Sequence, residues 1–323
     1  MHTLMRALCA ALACATLVTI TPASRAAEAY PSRPIRIIPM GVGFPEQTAR
    51  ALATEIAEAT KQTVIVEPKP GANGIIASEY VAKAPADGYT ILIGTNSTHA
   101  ANQSLYKKLP YDYVNDFAPV SGVARGGLVL VVNPKVPAKS LGELIALARA
   151  QPDKLNFSSA NSSSQGGVEL LKLMANLKIR NVPYKTSPQA STAVMTGEVD
   201  IMMAALGGIA GQISAGTLRP LAVSSNERWP GLPDLPTMQE GGVPGFELTF
   251  WNAAWVPAGT PKEVVTRINE LIINAMKRPK VKEYMMNAGA VAFPTTPDEL
   301  GKFQVAEYGK WRKIILAAGI QPE

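Results

Sequence analysis

The chain has 323 residues, 47% of them hydrophobic and 17% charged, with a formal charge of +6. This composition excludes a disordered chain and supplies apolar surface for a large core, and the length points to about two domains. The positive charge is scattered, with no Lys/Arg block interleaved with aromatics, so nucleic acid is excluded as a partner and a mild field suited to small anions is left.

Residues 1–29 read as a targeting segment. Arg6 precedes an apolar run over 7–20 that is too short to span a bilayer, and small residues follow. Cleavage falls after Ala26 or Ala29; Ala27-Glu28-Ala29 fits the small-x-small pattern and leaves Tyr30 as the new terminus. The alternative is an uncleaved membrane anchor. Ala11-Leu12-Ala13-Cys14 is a poor lipidation site, because the apolar run continues beyond it. Both cysteines, Cys9 and Cys14, and His2 are lost with this segment, which leaves His99 as the one histidine. Cys/His metal sites are thereby excluded, no metal or other cofactor is expected, and a Ser-His-Asp triad would need His99. Losing Arg6, Arg25 and Glu28 takes the charge from +6 to +5.

In chain order, Ile35, Ile37 and Ile38 predict a first strand, Gly41, Gly43 and Pro45 break it, and Ala49, Leu52, Ala53 and Ile56 repeat at helical spacing. A strand at 64–66, a turn through 68–74, a helix over 75–84 and a strand at 89–94 complete a βαβαβ series with a parallel sheet. A polar loop at 95–99 follows, then a helix through Leu105, an apolar segment at 118–123 and a buried strand at 128–132. A second α/β series begins there. Ser140 and Glu143 predict a capping box for a helix over 141–150, and a strand at 155–157 runs into a serine-rich loop at 158–164 and a helix over 168–177. Strands at 199–203 and 218–224 end this half. Residues 228–236, rich in Pro, read as a connection between lobes. A strand at 248–256 precedes C-terminal helices, the last opened by Thr296, Pro297 and Glu299; these helices have no strands of their own and are expected to pack on the first lobe.

No readable acid/base pair stands out among the carboxylates, and no catalytic residue is assigned. His99 reads as a satisfied loop histidine. The order Ser104-x-x-Lys107, Ser159-x-Asn161 and Lys185-Thr186-Ser187 mimics elements of penicillin-binding enzymes, so a secreted serine hydrolase using Ser104 and Lys107 stands as the alternative reading. Its third element lacks Gly, and Lys107-Lys108-Leu109-Pro110 reads as a helix ending. The better-supported feature is a set of small, polar loops at the carboxyl ends of strands in both halves: 41–46, 95–98, 158–164 and 186–187. Hydroxyls, amides and free N–H groups there suit a carboxylate. Taken singly, the Gly-x-Gly is a turn and the serine run a linker.

Tyr30-Pro31-Ser32-Arg33-Pro34-Ile35-Arg36, Pro70-Gly71-Ala72-Asn73-Gly74, Asp87-Gly88-Tyr89-Thr90, Leu109-Pro110-Tyr111-Asp112, Asp116-Phe117-Ala118-Pro119-Val120, Val182-Pro183-Tyr184-Lys185 and Pro257-Ala258-Gly259-Thr260-Pro261 follow one another along the chain. Together they resemble the Bug-type solute receptors, the periplasmic substrate-binding components of tripartite tricarboxylate transporters. The resemblance implies an α/β, two-lobed Venus flytrap, each lobe a largely parallel sheet flanked by helices. Lobe 1 would comprise 30–124 and 225–323, and lobe 2 residues 125–224. It implies a monomeric periplasmic receptor that binds a small organic carboxylate between the lobes and delivers it to membrane transporter subunits, without catalysis. A receptor that signals instead of feeding a transporter is a further alternative. Carried onto this chain, the ligand-binding positions are Gly41, Val42, Gly43, Phe44 and Glu46; Thr95, Asn96 and Ser97; Ser159, Asn161, Ser162, Ser163 and Ser164; Thr186; and Ala204. The chain departs from the family pattern at 42–46, where Gly-Gly-x-Thr/Ser-Asp is usual, and at Gln165-Gly166 and Ala204-Ala205. Val42 in place of Gly is expected to alter the loop path, because it does not share Gly's access to positive φ. Phe44 and the two small alanines suit a ligand with an apolar or aromatic body.

Overall fold

Ile35, Ile37 and Ile38 form strand β1 (Ile35–Pro39), since β-branched side chains fit a pleated surface covered on both faces. The computed structural model describes residues 30–322; the targeting segment at 1–29 and its cleavage sites lie outside the described residues. After β1 come α1 (Phe44–Thr60), β2 (Val64–Val66), α2 (Ile75–Ala82) and β3 (Thr90–Thr95). β2 and β3 flank β1 in parallel. The polar segment after β3 is a π-helical turn (Ser97–Ala101) leading into α3 (Asn102–Leu105), where the sequence predicts a loop.

The segments at 118–123 and 128–132 are one strand, β4 (Phe117–Val132), of 16 residues. Gly126 and Gly127 do not interrupt it, because both stay paired with β9 (Thr249–Pro257), opposite Phe250 and Thr249. Beyond them Leu128 to Val132 changes partners, pairing with β7 (Ile201–Ala205) on one side and β8 (Arg219–Val223) on the other. One strand thus serves both lobes. The second lobe is filled by α4 (Leu141–Ala150), β5 (Asn156–Ser159), α5 (Ser162–Ala175), β6 (Arg180–Pro183), α6 (Ser187–Thr196) and α7 (Ala210–Ser214). Strand order is β2-β1-β3-β9-β4-β7-β5-β6, with β8 and the two-residue β10 (Val291–Ala292) also pairing with β4. This α/β architecture carries the two lobes expected from the sequence.

Residues 225–248 contact β8 and α4. Met238 N–H donates to the Val223 carbonyl at 2.8 Å, Trp229 joins the apolar cluster of Val129 and Met202, and Gly241 lies against Leu141. After β9 come α8 (Lys262–Met276), α9 (Pro279–Asn287) and α10 (Pro297–Ala317). The C-terminal helices do have a strand between them, β10, which closes on β4. α10 is tied to β9 by two indoles, Trp251 donating to Glu307 at 2.8 Å and Trp255 to Gln304 at 3.0 Å. It also reaches the second lobe: Trp311 lies so close to Gly166 of α5 that a Cβ there would sit 2.5 Å from the ring. Among the described residues, no helix is long and apolar enough to cross a membrane.

Candidate functional site

The carboxyl end of β3 in the first lobe lies against the helix start that follows β5 in the second. The two edges meet at one side-chain bond: Asn96, just after β3, donates its amide to the Ser163 hydroxyl at the start of α5, 2.8 Å away. Two residues placed in the cleft by sequence, one from each lobe, are thereby brought together. A second junction lies at the other side, where Gly207 N–H donates to the Ala288 carbonyl after α9 at 3.2 Å.

At the first edge, the positive φ of the β1–α1 turn falls on Gly43 (φ 86°, ψ −136°) and not on Val42, so Val42 fits without strain and is 68% exposed. Gly41 is half-buried in the same turn. Phe44 opens α1, and Glu46 turns along the helix to Arg50, 2.7 Å away. Thr95 and Ser97 are buried and tied to each other, the Thr95 hydroxyl accepting from Ser97 N–H at 3.1 Å.

At the second edge, much of the serine run is occupied in building the helix start. Asn161 accepts from Ser164 N–H at 3.0 Å, and the Ser164 hydroxyl accepts from Ala160 and Asn161 N–H, a reciprocal cap. Ser159 donates to Asn181 Oδ1 at 2.8 Å. Ser162 is buried and its hydroxyl has no partner. Thr186 is exposed and caps α6 through Gln189 N–H. Ala204 sits opposite Val129 on β7, inside the apolar cluster that holds Met202 and Val223.

Sequence reasoning missed residues on the buried face of the first lobe. On β9 the odd positions Trp251 and Trp255 face α10, so Phe250 and Asn252 face the opposite side, because strand side chains alternate. There the Phe250 ring meets Phe44 edge-on at 5.4 Å, and Tyr284 of α9 stacks on Phe44 at 6.1 Å. Thr48 lies one helical turn beyond Phe44 on the same face of α1. The Asn252 amide nitrogen is buried without a hydrogen-bond partner, and the buried Thr48 hydroxyl lies within reach of the Tyr284 side chain. The available signals were a lone Asn inside an apolar strand and a Thr in phase with the buried stripe of α1.

His99 is buried in the π-helical turn, its ring stacked on Trp255 at 3.8 Å and its Nδ1 2.8 Å from the Thr98 hydroxyl. Its Nε2 has no partner, so it is less satisfied than expected. Burial pushes its pKa down to about 3, and the ring is neutral at ordinary pH. Ser104 lies in the last turn of the four-residue α3 and Lys107 is exposed beyond it, an arrangement that does not build the buried Ser-Lys pair of a hydrolase.

The model of the tripartite tricarboxylate transporter family receptor matches residues 48–320. Among curated relatives, protein BugT of Bordetella pertussis is 34% identical over 299 residues, covering 91% of each chain. Among solved structures, an adipate-bound protein of R. palustris has a TM-score of 0.84 at 34% identity, covering 91% of this chain and all of that one. MatC of Rhodopseudomonas palustris, solved with bound malate, has a TM-score of 0.78 at 28% identity, covering 88% of this chain and all of that one. The chain belongs to the tripartite tricarboxylate transporter receptor family of solute-binding proteins.

Proposed function

We propose that this protein captures one small organic carboxylate between its lobes and presents it, as a monomer, to the membrane subunits of a tripartite transporter. The observation that carries the reading is the junction of the two strand-end edges at Asn96 and Ser163, beside the buried, unpartnered Ser162 hydroxyl. A buried donor without an acceptor is costly unless a ligand or water supplies one. Two relatives of the same fold hold adipate and malate, which supports a carboxylate as that ligand.

In this reading residues 1–29 direct export to the periplasm and are removed after Ala26 or Ala29. The lobe partition is 30–124 with 225–323 against 125–224, and the contacts of 225–248 favour moving that segment to the second lobe. The positions that face the ligand are Gly41, Gly43, Phe44, Asn96, Ser162 and Ser163, closed over by hinge motion about β4 and β9. The experiment is calorimetry on protein produced without its leader and refolded free of ligand, titrated with adipate, malate and benzoate. Saturable binding of at least one, with a raised melting temperature, is expected; no binding by any of them at millimolar concentration overturns the reading.

A further inference from the structure

The C-terminal helix α10 is fixed to the first lobe. Glu307 and Gln304 accept from the indoles of Trp251 and Trp255 on β9, and the Gln304 amide donates to the Tyr113 carbonyl at 2.6 Å. One turn beyond Glu307, Trp311 reaches out of that lobe and lies on α5 of the second, where it is 1% exposed.

Two adjacent glycines on α5 face opposite ways. A Cβ on Gly167 would stand 2.3 Å from Met203 Sδ and 3.5 Å from Leu128, so this residue beds the helix into its own lobe. A Cβ on Gly166 would stand 2.5 Å and 2.8 Å from carbons of the Trp311 ring, so this residue receives the other lobe. Gly166 follows Ser162 and Ser163 by one helical turn and shares their face of α5. The face whose Ser163 meets Asn96 is therefore the face that Trp311 holds.

Trp311 also differs from the other indoles in how it is held. Trp251 and Trp255 donate to side chains of their own lobe, and Trp229 is packed in the apolar cluster of the second. The Trp311 Nε1–H is buried and, among the described residues, has no acceptor. Burying the ring is favourable and burying an unpaired N–H is not, so the two effects partly cancel. Such a contact gives way at little net cost once water can reach the N–H group.

We propose that Trp311 is a positioning residue for ligand capture: it seats on Gly166 as the lobes close, setting the Ser162–Ser163 helix start in place, and leaves that seat as they open. The proposal rests on the carboxylate-receptor reading above and its hinge motion.

The test compares the parent with Gly166→Ala and Trp311→Phe, each produced without its leader and free of ligand. With the lobes in contact, Trp229, Trp251, Trp255 and Trp311 are 9%, 0%, 0% and 1% exposed. Acrylamide is therefore expected to quench Trp311 in the opened, ligand-free parent, and the accessible fraction should disappear in Trp311→Phe. Equal quenching in the two proteins overturns the proposal, and this measurement needs no ligand. In melting without ligand, Gly166→Ala should hold or raise the melting temperature, since Ala suits a helix interior better than Gly. A lower temperature would place the contact in the resting fold and overturn the proposal. In calorimetry with adipate, malate and benzoate, Gly166→Ala should weaken whichever probe binds the parent by at least about tenfold, and Trp311→Phe by less. Unchanged affinity in Gly166→Ala overturns the positioning role. If the parent binds none of the three while Trp311 is still quenched, the receptor reading falls and the hinge seat stands.

Discussion

The start of α5 and the start of α1 occupy matching places, each following a parallel strand into the cleft, yet they are built by different means. α5 begins with a full side-chain cap from Asn161 and Ser164, no acidic residue, and a buried free hydroxyl. α1 begins on a bare Gly43 held at positive φ, continues through Pro45 and Glu46, and is braced from behind by aromatic rings. A helix start that is capped by its own neutral residues keeps its dipole available to a ligand, whereas Glu46 in the first turn of α1 gives its carboxylate to Arg50. Equivalent topology therefore leaves two helix starts at the cleft with different local chemistry.

Acid should break the first-lobe edge most strongly. His99 is held neutral in the fold with a pKa of about 3, against 6.5 for an ordinary histidine. As pH falls the unfolded chain takes up this proton first, so stability is full above about 6.5 and drains away down to about 3, by of the order of 4 kcal/mol in total. Urea unfolding from pH 7.5 to 4.5 should show this slope, and His99→Phe, which keeps a ring on Trp255, should flatten it. An unchanged slope in the variant would mean that other groups carry the acid response.

A smaller break is expected at the turn itself. Gly43→Ala meets no atom within 4 Å, so its cost is backbone strain alone, about 1–3 kcal/mol. Gly41→Ala, with equally open surroundings and no positive φ, should stay within about 0.5 kcal/mol. Equal melting temperatures for the two variants would refute the assignment of the strain to Gly43. The mildest change is Glu46→Gln. Removing its i,i+4 pair with Arg50 should cost only about 0.3–0.5 kcal/mol in thermal unfolding. A loss well above about 1 kcal/mol would contradict the pairing with Arg50 as the one role of Glu46.

The legible features were those that depend on neighbours in sequence. Hydrophobic period found most strands and helices of both lobes but not the short α7, α9 and β10, and the Thr296/Glu299 box caps α10 on both sides as read. The Ser140/Glu143 box is half present: Ser140 accepts from Glu143 N–H, but the Glu143 carboxylate takes Lys139 N–H instead of that of Ser140. The loop read at 95–99 became a helical turn because its polar groups satisfy one another, with Thr98 serving both Thr95 and His99. Polarity, which marks loops at a surface, misleads where a compact hydrogen-bonded cluster is buried.

The sequence by itself determined the α/β order, the cleft-edge positions at 41–46, 95–97 and 159–164, and the departures at Val42, Phe44 and Glu46. Only the tertiary structure decided that Asn96 meets Ser163 across 67 positions of chain, that Trp311 is seated on Gly166, and that Phe250 and Tyr284 pack against Phe44. The physical reason is locality. Strand and helix formation are governed by residues within a few positions of one another, whereas a binding surface is made by side chains whose partners are set by how whole strands pair.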